Sequence, residues 1–308
     1  MVLILEIDMP VQIIRQKNNP LVSVIIPSLD GYRDGNVPKL VQALENQSFQ
    51  DFEVLVVVGE KPCARAHNVG VQSAQGEIAV FFDDDITLGD DKVVENLITP
   101  LVKQSSITNC QSPIGITGAS TLIPPDANRF QKLCAREFER FEFPVVSETI
   151  ETDMATHAAM AMEKKTFTEV GGENENLIFG DDPELRARTR KAGYKIVVVP
   201  NTWIFHPPPP NLPSYLRMSF RRGIGAAHDF WNYPHLIYET PPSGVKTFVP
   251  HRPFLYRAIR FIIQNIEAII NLKLIFLTVR LAYGTGYLVG LAKQSISPRA
   301  CVDKRENS

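Results

Sequence analysis

Three aspartates in succession, Asp83, Asp84 and Asp85, follow the apolar run EIAVFF (77–82). Like charges side by side repel, and a carboxylate leaving a buried strand must be hydrated, paired or bound to a cation. Asp83 and Asp85 are two apart, so in extended backbone their side chains point the same way. Two carboxylates on one side of a strand end suit a hard divalent cation such as Mg²⁺ or Mn²⁺, which completes its shell with substrate phosphates. The plainer reading is a solvated acidic turn capping the next helix. A second pair, Asp181–Asp182, stands in GDDPELRARTRKAGYKIVVVP (180–200). On local grounds either aspartate caps a helix there, with Pro183 in the first turn and Gly193 at the end.

These groups need elements to hold them. LVSVIIP (21–27), FEVLVVV (52–58) and EIAVFF read as buried strands, and VPKLVQALENQ (37–47) and ARAHNVGVQSA (64–74) as helices between them. Strands buried on both faces and joined through helices imply a parallel sheet, with ligands at the carboxyl ends of the strands. Asp30, Gly59–Glu60 and Asp83–Asp85 all fall at those ends. Farther on, 90–103 and 129–141 read as helices, the stretch between them as strand or loop, and KKTFTEVGG (164–172) as a short helix closed by glycine. WIFHPPPP (203–210) is a strand end running into a stiff polyproline boundary.

The chain has 308 residues, 44% hydrophobic and 21% charged, enough for one large domain with an appendage or two modest domains. A net charge of −2 gives no support for a nucleic-acid partner. No Gly-x-Gly-x-x-Gly fingerprint follows the first strand, which argues against a dinucleotide oxidoreductase. Cys63, Cys110, Cys134 and Cys301 are irregularly spaced and read as reduced thiols in a cytosolic setting. MVLILEIDMP lacks the basic start and cleavage site of a secretory signal, so the catalytic part is expected in the cytoplasm.

Beyond residue 211 the composition shifts. Residues 254–281 contain no proline or glycine and read as one helix, with Arg257, Arg260, Gln264, Glu267, Asn271 and Thr278 along one side and an almost wholly apolar remainder. A membrane span needs about 20 apolar residues, and 272–292 carries Lys273 and Arg280; a central arginine costs roughly 2.5–3.5 kcal/mol on insertion. An amphipathic helix lying in the membrane surface through residues 254–292 is the favoured expectation, with a single span, or packing on the main domain or in a homodimer, as alternatives.

From Val22 to Asp85 the segments VSVIIPSLD, FEVLVVV and AHNVGVQSAQGEIAVFFDDDI resemble the nucleotide-sugar-binding half of GT-A-fold, family 2 glycosyltransferases. The elements carrying the resemblance are Pro27–Ser28, Asn68-Val69-Gly70, Ala74-Gln75-Gly76-Glu77 and Asp83-Asp84-Asp85. EVGGENENLIFGDDPELRARTRKAGYKIVVVP resembles the family's second half, so the likeness runs over roughly residues 20–225. It implies an α/β fold with a mixed, mainly parallel sheet flanked by helices, here with a C-terminal amphipathic helical tail. The implied organisation is an extension (1–20), a GT-A domain (21–210, its nucleotide-sugar half about 21–118 and acceptor half about 119–210) and a helical region (211–308).

The resemblance also implies roles. Pro27, Ser28, Asp30, Asn68 and Asp84 would line the nucleotide-sugar pocket, while Asp83, Asp85 and His206 would hold Mn²⁺ or Mg²⁺ against the diphosphate. Asp182 matches the general base and Asp181 stands where glutamate is usual. Arg221 and Arg222 in SFRRGIG match a basic segment that closes over the diphosphate, and Arg188 fits a Leu-x-x-Arg position that orders the site. The sequence departs from the family at Val58-Gly59-Glu60-Lys61, where Glu60 replaces a base-holding aspartate, and at Gly171-Gly172-Glu173-Asn174-Glu175, where an aromatic is missing. His157, His228 and Trp231 read as core or cleft lining. The implied enzyme is an inverting glycosyltransferase using a nucleoside-diphosphate sugar and a glycan or lipid-linked acceptor, peripheral at the inner face of a membrane. The family's processive synthases carry a Gln-x-x-Arg-Trp motif that is not found here, so a single addition is expected. A sugar-phosphate nucleotidyltransferase and a non-catalytic membrane-associated scaffold are the competing readings.

Overall fold

The structure, a computed structural model, describes residues 10–105, 113–138, 141–239, 249–250 and 254–296. Cys110, Cys301 and the N-terminal residues 1–9 lie outside the described residues; Cys63 and Cys134 are free thiols. A nine-stranded sheet forms the centre. Its strands are β1 (Val11–Arg15), β2 (Val22–Ser28), β3 (Phe52–Val58), β4 (Ile78–Phe82), β5 (Thr87–Leu88), β6 (Ile114–Leu122), β7 (Ile150–Glu151), β8 (Ala159–Glu163) and β9 (Lys195–Phe205). Their spatial order is β1-β3-β2-β4-β8-β6-β9-β5, with β7 also on β9. β2, β3, β4, β6 and β9 run one way, and β1, β5, β7 and β8 run against them. This is the mixed, mainly parallel α/β sheet the sequence implies. β1 falls in the stretch expected to be an extension (1–20), yet it is the sheet's antiparallel edge, with Ile13 opposite Leu55.

Alternation along the strands builds a core on each face. Val22, Val24 and Ile26 of β2, with Val54 and Val56 of β3 and Val80 and Phe82 of β4, pack against α1 (Asn36–Glu45) and α3 (Val93–Ser105). Ile25, Leu55, Val57, Ala79 and Phe81 face the other way, onto α2 (Cys63–Ser73), α5 (Lys164–Glu169) and α6 (Asp181–Lys191). Gly70 is required here: a Cβ would lie 2.4 Å from Ile25 Cγ2, so only glycine lets α2 approach β2 this closely. Neither Asp181 nor Asp182 is the cap of α6. Gly180, at φ 101°, holds that position, and the two aspartates are the first helical residues.

A third cluster joins α4 (Arg129–Glu137), α7 (Leu212–Asn232) and α9 (Leu274–Ile296) through Cys134, Phe138, Tyr215, Ile275 and Val279. Tyr238–Glu239 (β10) and Val249–Pro250 (β11) form a separate two-stranded ladder. The single helix expected over 254–281 is instead two, α8 (Phe254–Ile270) and α9, broken where Leu272 adopts φ 53°.

Candidate active site

The acidic turn sits where β4 ends, and its neighbours explain its shape. Asn36, opening α1, donates to the carbonyls of Asp84 (2.7 Å) and Ile86 (3.1 Å), and Ser28 Oγ donates to Asp84 Oδ2 (2.7 Å). Immediately after the turn, β5 pairs antiparallel with the end of β9, Thr87 opposite Phe205. That pairing delivers His206 to the turn, its Nε2 3.1 Å from Asp85 Oδ1. One ligand atom each from Asp83, Asp85 and His206 lies within 4.8 Å of the others. Arg33, on the loop after β2, also reaches the turn, 2.8 Å from Asp85 Oδ2 and 3.5 Å from Asp84 Oδ1. Burial pushes Asp83 up to about 6. Burial works the same way on Asp85, but His206 and Arg33 outweigh it and hold that carboxyl at about 2.

A second cluster lies at the start of α6. His157, just before β8, has Nε2 2.5 Å from Glu173 Oε1 and Nδ1 3.7 Å from Asp182 Oδ1. Its ring lies 4.4 Å, centroid to centroid, from that of His67 on α2. Arg186, one turn along α6, donates to Asp182 Oδ1 (2.7 Å) and to the Ala155 carbonyl (2.6 Å). Burial would hold His157 neutral, yet Glu173 and Asp182 overcome it and raise it to about 10. Burial, with His157 beside it, drops His67 to about 3, and burial lifts Asp181 to about 6.

The two clusters are neighbours. β4 and β8 are antiparallel neighbours with Phe82 opposite Ala159, so Asp83 leaves one strand as His157 enters the other, and the Asp83 N–H donates to the Ala158 carbonyl (3.4 Å). The charges on His157 and Asp182 accordingly act on Asp83. α7 closes a side of the site. Its buried Asp229 accepts from the backbone of Ile178 (2.9 Å) and Phe179 (2.8 Å), fixing the loop that leads to Gly180. Arg222 acts on His206, and Arg221 and Arg222 line an open cleft of about 390 Å³ with Phe179, Arg217 and Met218. A larger cavity of about 780 Å³ lies at the opposite ends of β2 and β4, by Leu21, Ile78 and Lys164, away from both clusters.

The other sequence-predicted residues divide. Pro27, near the carboxyl end of β2, pairs with Val57, and Asp30 accepts from the backbone of Tyr32 (2.9 Å) and Arg33 (2.8 Å). Asn68 is engaged elsewhere: it bonds the Glu173 carbonyl (2.9 Å), the Glu173 N–H (2.8 Å) and Glu175 (2.8 Å), so it positions the 173–175 loop. Glu60 pairs with Arg65 at 2.5 Å. Arg188 donates to the carbonyls of Val170 and Gly172, ordering the turn that precedes Glu173. Sequence reasoning passed over His67, gave Arg33 no role beyond an unconvincing match to a nucleotidyltransferase loop, and left His157 as lining. The available signal was Glu173, a buried acid at a position where the resemblance expects an aromatic, which demands a partner.

A family profile described as "Glycosyltransferase like family 2" matches residues 12–225. No curated protein sequence matches the chain. Similar solved structures include the mannosyltransferase PcManGT from Pyrobaculum calidifontis in complex with GDP-Man and Mn²⁺, at 15% identity and a TM-score of 0.49, with 95% of this chain and 80% of that one covered. GalNAc-T7 with UDP, GalNAc and Mn²⁺ gives 15% identity and a TM-score of 0.46, covering 63% of this chain and 46% of that one. Residues 1–349 of S. aureus TarS give 12% and 0.43, covering 68% and 65%. The family match spans the strands of the sheet from β1's second residue through β9, together with both acid clusters. The chain belongs to glycosyltransferase-like family 2.

Proposed function

We propose that this chain is an inverting, divalent-cation-dependent glycosyltransferase that moves one sugar from a nucleoside-diphosphate donor to a hydroxyl acceptor. The observation that carries the reading is the convergence of Asp83, Asp85 and His206 beside the Asp181–Asp182 pair. Two carboxylates and an imidazole, with ligand atoms within 4.8 Å of one another, fit Mn²⁺ or Mg²⁺. Such an ion, when bound, neutralises charge on the departing diphosphate. Ser28, Asp30 and Asp84 orient the nucleotide at the end of β2, and Arg221 and Arg222 add positive charge on the leaving-group side.

Asp182 is the general base, its carboxylate held in orientation by Arg186. The acceptor oxygen bonds to the anomeric carbon as the bond from that carbon to the diphosphate oxygen breaks. The hydroxyl proton passes to Asp182, and the diphosphate leaves with the bonding electron pair. Attack from the face opposite the leaving group inverts the centre. The outward apolar face of α8 supports an acceptor presented at a membrane surface, a lipid-linked or cell-envelope glycan.

The test is a thermal-shift panel of nucleoside diphosphates and nucleotide sugars with and without Mn²⁺, followed by turnover and assignment of the product anomer. A matching donor should raise the melting point only with the metal, and Asp85→Asn should abolish that rise. Asp182→Asn should keep the rise and lose about 10²–10⁴-fold in turnover. Parental turnover in both variants would refute the reading. Pyrophosphate release from a nucleoside triphosphate and a sugar phosphate would replace it with nucleotidyl transfer.

A further inference from the structure

The cluster around Glu173 is richer than a general base requires. Glu173 and His67 are buried, and both sit next to His157. Both carboxylate oxygens of Glu173, His67 Nδ1 and His157 Nε2 lack a hydrogen bond of ordinary geometry, and buried polar atoms left in that state are costly. One ligand atom each from His67, His157 and Asp181 lies within 4.8 Å of the others. Ligands around a four-coordinate zinc ion, at bonds of about 2.0–2.1 Å, stand about 3.3 Å apart, which small side-chain rotations would reach from here. Glu173 supplies what a metal-bound histidine needs on its far nitrogen. Its Oε1 lies 2.5 Å from His157 Nε2, which places the carboxylate behind that nitrogen, while Nδ1, which gives up its proton when a metal binds, faces the α6 aspartates.

We propose that His67, His157 and Asp181 form a second metal site, distinct from the Asp83–Asp85–His206 group, with Glu173 as the carboxylate behind His157. The chemistry of the donor set selects the ion. Two imidazoles and one carboxylate match Zn²⁺ or a similar borderline transition metal better than Mg²⁺, which prefers all-oxygen shells. Three protein ligands leave a coordination position open, as catalytic sites do and purely structural sites do not. The ion also supplies positive charge where Asp181, Asp182 and Glu173 crowd together.

The assay is metal content, so its outcome is independent of whether the chain transfers sugar. Full-length Asp85→Asn protein, which lacks a ligand of the acidic turn, is loaded with Zn²⁺, dialysed without chelator and analysed by mass spectrometry. A competition titration against a chromogenic chelator follows, together with the visible spectrum of the Co²⁺-loaded form. One retained equivalent and a four-coordinate cobalt spectrum are expected. In that background, Asp181→Asn and His67→Ala should lose the equivalent, and Glu173→Gln, which keeps the side chain's shape, should weaken binding by about 10–100-fold. Circular dichroism verifies that each variant is folded, and Asp181→Asn carries the test if His67→Ala is not. A parental cluster that takes up no zinc would overturn the proposal, as would unchanged retention in both Asp181→Asn and Glu173→Gln. Either result leaves a plain His157–Glu173 ion pair.

Discussion

Arg33 brings a permanent positive charge to the acidic turn. Its guanidinium lies 2.8 Å from Asp85, on the carboxylate oxygen that His206 does not touch. A cation entering the Asp83–Asp85–His206 group must share Asp85 with that guanidinium. Arg33 is half-exposed, so screening keeps the repulsion modest. Arg33→Ala should therefore tighten Mn²⁺ binding by about 3–10-fold in the absence of nucleotide, read from the free Mn²⁺ signal in electron paramagnetic resonance; weaker binding would mean that Arg33 braces the site. Asn68 makes the opposite kind of contribution. Replacing it with alanine strands the N–H and carbonyl of buried Glu173, and the fold should lose about 1–3 kcal/mol in denaturant unfolding. At this scale the sequence marked the five aspartates of the two clusters, because strand ends and consecutive aspartates are local signals, and it named Glu173 only as a departure from the family pattern. It did not mark His67 or His157. Their significance comes from Glu173 and Asp181, which are distant in the chain and meet them only through the pairing of β4 with β8 and the docking of α2.

Among the elements, short local runs were readable and long-range pairings were not. β2, β3 and β4 fall within a residue of their expected bounds because continuous β-branched runs buried on both faces leave little choice. β5 has two residues and no pattern, yet its pairing with β9 brings His206 to Asp85. β9 itself carries a bulge, its register with β6 jumping from Gly118–Val198 to Ser120–Trp203 around Pro200 and Asn201 at φ 50°. A break at Pro200 and a strand end at WIFH were both legible; that the two halves form one strand was not. The break at Leu272 follows from no helix-breaking residue type. Arg280, an obstacle to a membrane span in the sequence, sits over the rings of Phe261 (4.7 Å) and Phe276 (5.2 Å). α9 lies on α7 through glycines: a Cβ at Gly223 would be 2.1 Å from the Tyr283 carbonyl oxygen, and one at Gly286 equally close to that of Phe220. Gly286→Val should therefore push α9 off α7, at a cost of about 1–3 kcal/mol. The expected readout is faster proteolytic cleavage near residues 271–273, with the sheet still folded; an unchanged digestion pattern would mean that this contact does not hold the tail.

For the molecule as a whole, the question is what meets the apolar surface that the tail presents. Ile259, Ile262, Ile263, Ile266, Ile269 and Ile270 of α8 are exposed, and Leu272 and Leu274 extend the patch, with Leu272 exposed at 77%. α9 is long and apolar enough to cross a membrane, and only about a sixth of that window is buried, the rest being half-buried or exposed. A contiguous exposed patch of large aliphatics marks an interaction surface in a protein whose cores are otherwise closed. Arg257, on the opposite side of α8 from the isoleucines, is held over Phe230 (5.4 Å) and Tyr287 (5.9 Å). Bilayer insertion of an amphipathic helix draws its free energy from such a face, each buried aliphatic side chain contributing about 1.5–3 kcal/mol relative to full exposure. Ile262 and Ile266 are already partly covered, which reduces the gain available from each. An Ile262→Asp, Ile266→Asp double variant should nonetheless lower partitioning onto vesicles by at least about tenfold, since both contacts are lost and two charges must stay hydrated. Neither side chain belongs to a buried cluster, so the melting point should hold while vesicle co-sedimentation falls. Unchanged co-sedimentation would remove α8 from the membrane reading. If parental protein ignores vesicles and sediments as a dimer that the double variant dissociates, the patch belongs to a second copy of the chain.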